Sequence, residues 1–246
     1  MAPHAIVHHR LDLILRLIDS TTGREITDRR CQILTNPDKR IKLVARGDGT
    51  YLFLEIGRTD FELDIHVYGY ESRKEKVVFE NLDENMPIKE VYLLPKAEMA
   101  TGDNILTLRG RLPGIKEIEA VPLTNVVCNY KEYDKRNNIL KMFNQHKVKM
   151  KNIHYGIIDV NLMEYDRFEV KEELTTQEVR LKEKLEKEYT INQPIAGIIF
   201  GQVDDDGEYK LAIRAGKLAH YLVRYVVDDT VHFKKIDFNN LGEQSL

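Results

Sequence analysis

The chain has 246 residues, of which 42% are hydrophobic and 31% are charged, and its formal net charge at pH 7 is -3. This composition is that of a globular protein with enough length for a substantial core, and it excludes a long disordered chain. The small net charge gives no basis for nonspecific binding to nucleic acid or to anionic membranes. No apolar run approaches the ~18 residues of a membrane-spanning helix, so we expect no membrane span.

The only two cysteines, Cys31 and Cys128, lie far apart in the sequence and outside any CxxC spacing. A disulfide framework is therefore excluded, and isolated thiols suit a reducing compartment. Residues 1–10 lack the apolar core of a secretory signal. We therefore expect synthesis in the cytoplasm, which is compatible with later release of the protein as part of a particle.

Residues 10–96 show the alternating pattern of short β-strands. Leucines at every second position from Leu11 to Leu17 predict the first strand. Asp48-Gly49 is a strong hairpin signal, and the strand after it should bury Phe53. Further strands are predicted at residues 31–33, 41–44, 61–67, 77–79 and 91–94. About seven short strands separated by turn residues are typical of an antiparallel β-sandwich.

The same residues resemble a known family. Four segments carry the resemblance: LRLIDSTTGREI at 15–26, RGDGTYLF at 46–53, DIHVYGY at 64–70 and VYLLP at 91–95. Their order and spacing are similar to those of carboxypeptidase regulatory-like (prealbumin-like) domains. The resemblance implies a β-sandwich that acts as an accessory or structural unit, a role that this family fills in many different proteins.

The middle of the chain, residues 98–171, is predicted to be rich in strands, at 105–114, 121–127, 155–160 and 167–171. Between them, Ile139, Met142 and Phe143 have helical spacing and predict a short helix within residues 138–146. The sequence LRGRL at residues 108–112, directly after the sandwich, is similar to accessory proteins of phage tail-like contractile injection particles.

Residues 172–246 are predicted to form a helix packed on a sheet. Thr175-Thr176-Gln177-Glu178 has the pattern of a capping box and predicts a helix over residues 176–189. Two hairpins follow, at residues 195–213 with a turn at 204–207, and at residues 219–238 with a turn at 228–229. One helix and four antiparallel strands would form an α+β layer.

Candidate metal ligands are few. His4, His8 and His9 are closely spaced imidazoles, but a transition-metal site needs three or four pre-organised ligands, and a chain terminus seldom supplies them. Asp204-Asp205-Asp206-Gly207 lacks the alternating ligands and the distant glutamate of a calcium loop. A hairpin tip explains this segment better. We expect no metal and no cofactor.

Candidate catalytic residues are equally few. Cys128 could pair with His146 or His154 as a thiol and its base, but Cys128 ends an apolar strand-like run, where a free cysteine usually acts as a small buried hydrophobe. His66 and His220 lie within strand patterns. No nucleophile elbow and no glycine-rich phosphate loop occurs in the chain. We expect no catalytic residue.

Two groups of residues are predicted to make contacts with other molecules. The strand at residues 219–227 has apolar side chains on both faces, and a single helix could cover only one side of its sheet. An uncovered, partly apolar face usually marks an interaction surface, here with Leu222, Arg224 and Val226. The strand tyrosines that could stack on a ligand are Tyr51, Tyr68 and Tyr70.

The sequence thus predicts a mainly β protein with three parts: a sandwich at 1–97, a β-rich segment at 98–171 and an α+β layer at 172–246. We interpret it as a non-enzymatic structural or adaptor subunit that contacts other protein subunits and no nucleic acid. The alternative is a carbohydrate- or peptide-binding module that uses the strand tyrosines. A third hypothesis is an unfamiliar type of enzyme located after Asp103.

Overall fold

The computed structural model describes residues 9–27, 30–36, 41–96, 105–124, 126–214, 220–238 and 246. The chain divides into two compact units, the first formed by residues 1–19 and 25–99 and the second by residues 20–24 and 100–246. Both consist almost entirely of β-strands, which confirms the mainly β fold class. None of the described residues belongs to a helix long and apolar enough to cross a membrane.

The first unit is a β-sandwich. Its strands are β1 (Leu11–Asp19), β2 (Arg24–Glu25, of which Arg24 counts with the second unit), β3 (Cys31–Asn36), β4 (Lys42–Ala45), β5 (Thr50–Leu54), β6 (Phe61–Val67), β7 (Arg73–Val77) and β8 (Ile88–Leu93). One sheet has the order β2-β1-β5-β4, with β8 also paired to β1, and the other has the order β3-β6-β7. The β1–β8 pair is parallel, whereas the sequence predicted a sandwich of antiparallel strands.

Alternation along the strands builds the core of this unit. Leu13, Leu15 and Leu17 are fully buried in one cluster with side chains from the opposite sheet. Phe53 is 1% exposed in the same cluster, so its predicted burial is confirmed. The predicted turn at Asp48-Gly49 joins β4 to β5, and Gly49 adopts φ +84°, a conformation that glycine accepts without strain.

The second unit contains a closed barrel and two further sheets. Its strands are β9 (Ile105–Arg111), β10 (Ile115–Pro122), β11 (Cys128–Asp134), β12 (Ile139–Phe143), β13 (His154–Asp159), β14 (Glu164–Thr175), β15 (Glu178–Leu181), β16 (Pro194–Gly197), β17 (Ile199–Phe200), β18 (Gln202–Val203), β19 (Glu208–Arg214), β20 (His220–Val227) and β21 (Thr230–Asp237). The barrel closes in the order β11-β12-β15-β14-β13-β16, and the sheets are β17-β10-β20-β21 and β18-β19-β9.

The sheet β17-β10-β20-β21 is covered on both faces by other strands of the second unit. On one face, Val223 and Ile236 pack with Leu211 and Ile213 of β19. On the other face, Leu222 packs with side chains of the barrel strands. The barrel has its own interior, a third cluster that includes Cys128, Tyr155, Ile157, Val179 and Leu181.

The predicted helix at residues 176–189 is wrong, because strand β14 reaches Thr175 and β15 begins at Glu178. The residues that suggested a helix cap form a tight hairpin turn instead, in which the Gln177 amide donates to the Thr175 hydroxyl at 3.1 Å. Val179 and Leu181 point into the barrel at a spacing of two residues. The short helix predicted around Met142 is also a strand, β12, and the described residues include no α-helix.

The C-terminal layer predicted for residues 172–246 does not form as a separate sheet. The predicted hairpin at residues 219–238 is confirmed, since β20 pairs with β21. The other is correct only in its turn and second strand: β19 pairs with β18, whereas residues 195–200, predicted as its first strand, form β16 and β17 and pair with β11, β13 and β10. However, β19 pairs next with β9 and β20 pairs next with β10, both from the segment predicted as 98–171. Strands from both sides of the expected boundary at 171/172 share one barrel, so the two segments form one unit.

Residues 20–24 pack within the second unit through glycine and amide contacts. The Asn152 side-chain amide donates to the Thr22 carbonyl at 2.6 Å, and the Ile153 amide donates to the Gly23 carbonyl at 3.3 Å. Gly23 has φ +64°, and a Cβ atom there would lie 2.5 Å from the Ile198 carbonyl oxygen. This turn therefore requires glycine for both conformation and space.

Candidate functional site

The residues predicted as an interaction face on β20 lie mostly inside the second unit. Leu222 is fully buried and packs with barrel residues such as Ile158 and Ala196. Val226 is half-buried. The prediction that a single helix leaves this face uncovered was wrong, because barrel strands from the middle of the chain cover it. The face is part of the protein's own core.

Arg224, the third residue of that group, belongs to a charged network around a buried carboxylate. Glu119 is 1% exposed, and its carboxylate lies 3.5 Å from the Arg224 guanidinium and 3.2 Å from that of Arg167. The Tyr165 hydroxyl donates to Glu119 Oε1 at 3.0 Å. Exposed Glu117 contacts both arginines, at 3.0 and 3.1 Å. The network therefore provides ion-pair and hydrogen-bond partners for a carboxylate that is buried away from water.

The three candidate tyrosines separate into two locations in the first unit. Tyr51 is 7% exposed and belongs to the sandwich core, so it is not an exposed platform. Tyr68 and Tyr70 line one open groove of about 410 Å³, which we call the Tyr68 groove. Its other polar lining residues are Arg30, Gln32, His66, Ser72 and Lys96.

The groove is formed by the paired ends of β3 and β6 and by the turn after β6. The Tyr68 amide donates to the Arg30 carbonyl, which places their side chains next to each other. The Arg30 guanidinium lies 3.7 Å from the centre of the Tyr68 ring, a cation–π contact. The Tyr70 hydroxyl donates to the Asp19 carboxylate at 3.0 Å, which fixes the Tyr70 ring. Tyr68 remains 52% exposed.

His66 connects two polar side chains at the edge of this groove. Its Nδ1 lies 2.9 Å from the Ser72 hydroxyl, and its Nε2 lies 3.0 Å from Asp64 Oδ1. Serine hydrolases use the same three residue types, but there the base is shielded from water and amide donors stabilise the oxyanion. The His66 side chain is 43% exposed. We therefore interpret the chain of bonds as orienting Ser72 rather than activating it.

A second surface feature of the first unit is the outer edge of β4. Leu43 and Ala45 lie opposite Phe53 and Tyr51 in the β4–β5 pair and so share the inward face of the sheet. Phe53 and Tyr51 are buried, whereas Leu43 is 37% exposed and Ala45 is exposed. A cleft of about 420 Å³ opens there, lined by Ile26, Cys31, Leu43, Ala45 and Tyr51 among others. Among the described residues, the opposite sheet thus leaves Leu43 and Ala45 partly uncovered.

Cys128 lies in the barrel interior. Burial raises the pKa of its thiol to about 12, so the thiol stays protonated at neutral pH. Its sulfur contacts the Met142 sulfur at 3.3 Å. The expectation that Cys128 acts as a small buried hydrophobe is confirmed.

Asp204 occupies a hairpin tip, as predicted. Its carboxylate accepts hydrogen bonds from the amides of Asp206, at 3.1 Å, and Glu208, at 2.8 Å. Gly207 follows with φ +75°. These bonds close the turn between β18 and β19, which accounts for the cluster of aspartates at this point.

Of the N-terminal histidines, His4 and His8 lie outside the described residues. The His9 ring contacts Glu55 at 2.8 Å. Within the part of the chain that the structure describes, no group of three or more His, Cys, Asp or Glu side chains is placed to hold a metal ion.

Sequence reasoning missed most of the groove. Tyr68 and Tyr70 were identified from their strand pattern, but Ser72 beside them was not, and Arg30 and Lys96 come from two other places in the sequence. The register that pairs Cys31 with Val67 brings Arg30 beside Tyr68. No motif encodes that register, so a search for aromatic residues alone could find only the two tyrosines of the site.

The chain matches no protein-family model, no curated protein and no solved structure.

Proposed function

We propose that the protein is a non-enzymatic structural or adaptor subunit of a larger assembly, in which β4 pairs with a strand of another subunit. The observation that supports this proposal is the uncovered inward face of β4, where Leu43 and Ala45 are exposed. Among the described residues, β4 pairs only with β5 and so ends its sheet. An edge strand with exposed apolar side chains is a template for strand addition.

The charges of β4 favour a different chain over a second copy of this one. The strand carries Lys42, and Arg46 follows it directly, with no carboxylate between them. Antiparallel pairing of two β4 strands would bring Lys42 of one copy close to Arg46 of the other, and like charges across strands are destabilising. The expected partner is an extended segment with acidic residues beside small apolar ones.

The positions of two buried titratable groups, Cys128 and Tyr165, agree with a non-enzymatic role. The pKa of Cys128 is raised by burial, and the pKa of Tyr165 is raised by burial and by Glu119. Both groups lie in packed clusters of the second unit. Catalytic groups with shifted pKa values usually converge in a cleft that a substrate can enter.

The similarity of residues 108–112 to accessory proteins of phage tail-like particles favours one kind of assembly. The proposal is therefore that the partner subunits belong to such a particle. The prealbumin-like resemblance of the sandwich agrees with an accessory role, because that family mostly serves as an attached structural unit.

The test is to replace Leu43 by Asp in tagged protein made in its native cells. The carboxylate would repel an acidic strand and remove apolar contact, while the exposed position should preserve the fold. The matched control is Leu34→Asp, since Leu34 is 47% exposed on β3, an edge strand of the other sheet. Light scattering and electron microscopy measure the size of the purified species.

We expect the wild-type protein and the Leu34→Asp variant in a large particle and the Leu43→Asp variant as a folded 28.7 kDa monomer. Circular dichroism checks that each variant is folded. A wild-type protein that is monomeric in its native cells would contradict the adaptor role. A particle that retains the Leu43→Asp variant would contradict the use of β4.

A further inference from the structure

The Tyr68 groove is an open surface groove in which two side chains are held by hydrogen bonds. Its volume of about 410 Å³ lies within the ~300–1,000 Å³ range of small-molecule sites, although a ligand bound there would stay partly in contact with water. Tyr70 is held by Asp19, and Ser72 is held by His66. Side chains that are fixed before binding lose little conformational entropy when a ligand arrives.

The surface of the groove combines one exposed aromatic ring with several hydrogen-bonding groups. Tyr68 is 52% exposed and offers the apolar ring surface that Arg30 does not cover, and the Gln32 amide and the Ser72 hydroxyl can each both donate and accept hydrogen bonds. A sugar ring has the complementary character, with apolar C–H groups on its faces and hydroxyls around its rim. An aromatic side chain packs against such C–H groups, and amides and hydroxyls exchange hydrogen bonds with the rim.

Two cationic side chains, Arg30 and Lys96, line the groove, and its described lining includes no carboxylate. The Arg30 guanidinium is stacked on Tyr68, which orients its planar donors, and a guanidinium binds a carboxylate through two parallel hydrogen bonds.

We propose that the Tyr68 groove binds an acidic saccharide, a sugar that carries a carboxylate as uronic acids do. The carboxylate lies against Arg30 and Lys96, and the ring packs beside Tyr68. The hydroxyl groups of the sugar contact Gln32, Ser72 and His66. This site does not depend on the proposed role of β4, because no residue of β4 lines the groove.

The test is isothermal titration calorimetry, in which trigalacturonate is added to the whole protein and the heat of binding is measured. Neutral galactotriose and triglutamate serve as comparison probes. We expect a Kd of about 1 mM or tighter for trigalacturonate, and an affinity at least about tenfold lower for the neutral sugar because the charge-assisted bonds to Arg30 are absent. Added salt should weaken the binding, since exposed charges are screened.

Arg30→Gln and Tyr68→Ala should each weaken the binding about tenfold or more. Lys74→Gln is the matched control: it removes one positive charge from an exposed position on the adjacent strand β7, outside the groove. It should change the affinity less than about twofold. Circular dichroism verifies the fold of each variant.

Three results would overturn the proposal. They are no heat of binding at about 10 mM trigalacturonate, equal affinity for the acidic and the neutral trisaccharide, and tighter binding of triglutamate. The last would assign the groove to an acidic peptide. Each can be read from monomeric protein, so none depends on whether β4 assembles with a partner.

Discussion

At the scale of single residues, Glu119 shows two opposing effects on one carboxylate. Its burial in the second unit favours the neutral acid, whereas Arg167 and Arg224 favour the charged form. Burial is the larger effect, and it raises the pKa of Glu119 above its ordinary value of 4.5. Both guanidiniums remain partly in contact with water, which weakens their attraction for the carboxylate.

This balance predicts a pH dependence of stability. Because its folded-state pKa is raised, Glu119 contributes stability that is fully present below about pH 4.5 and is lost as the pH rises through the folded-state pKa. The free energy of unfolding of the wild type minus that of Glu119→Gln should therefore fall as the pH rises through this window. Urea unfolding at a series of pH values measures the difference.

Glu117→Gln is the control, because the Glu117 side chain is 53% exposed and contacts the same two arginines. Unfolding of this variant under the same conditions measures the effect of losing a charge beside the two arginines without losing a buried carboxylate. A wild-type advantage over Glu119→Gln that grows with pH would show that attraction to the guanidiniums outweighs burial.

At the scale of elements, the segment after Thr175 illustrates how a local signal can agree with two structures. A threonine followed three residues later by glutamate suits a helix cap, and Leu181 and Leu185 have near-helical spacing. The same segment also alternates, with Val179 and Leu181 buried between the exposed or half-exposed neighbours of a strand. The barrel selects the strand, since β15 closes it by pairing with both β12 and β14.

The position of β20 predicts the outcome of a charge substitution. Leu222 is fully buried between the sheet β17-β10-β20-β21 and the barrel. Leu222→Lys should therefore destabilise the protein by about 4 kcal/mol or more, because a buried ammonium group would have no partner among these apolar side chains. Val231→Lys, at a 45% exposed position of the adjacent strand β21, should cost no more than about 0.5 kcal/mol. Denaturant unfolding compares the two. A folded Leu222→Lys variant of normal stability would contradict the burial of this face.

At the scale of the whole molecule, the chain builds two sets of hydrophobic clusters that do not share residues. One cluster fills the sandwich of the first unit, and three clusters fill the second unit. Residues 20–24 belong with the second unit although the sequence on either side of them belongs to the first. A single unfolding transition is therefore not expected for this chain.

Separate cores predict that a core substitution weakens only its own unit. Phe53→Ala should destabilise the sandwich by about 3–5 kcal/mol through loss of contacts and cavity formation. Hydrogen exchange followed by mass spectrometry should show faster exchange in β1 and β5 and unchanged exchange in the barrel. Leu140→Ala, in the barrel interior, should give the reverse pattern. Loss of protection throughout the chain for either variant would indicate one cooperative unit.

Much of the first unit could be predicted from sequence, because its information is local. Side-chain alternation along β1 and β6 and the Asp48-Gly49 turn depend only on neighbouring residues, and they correctly indicated the strands and the burial of Phe53. The same pattern did not separate exposed from buried tyrosines, since Tyr68 is 52% exposed whereas Tyr51, predicted with it, is buried. Local sterics and hydrophobic periodicity act over a few residues, so strands and tight turns can be predicted directly from the sequence.

Only the tertiary structure decided the partners of each strand. The pairing of β20 with β10 and the position of the barrel buried Leu222, and the β3–β6 register placed Arg30 beside Tyr68. The exposure of Leu43 likewise depends on how far the opposite sheet extends. These features depend on contacts between residues that are distant in sequence. The energy of such contacts is the sum over many packed side chains, so no short sequence motif encodes it.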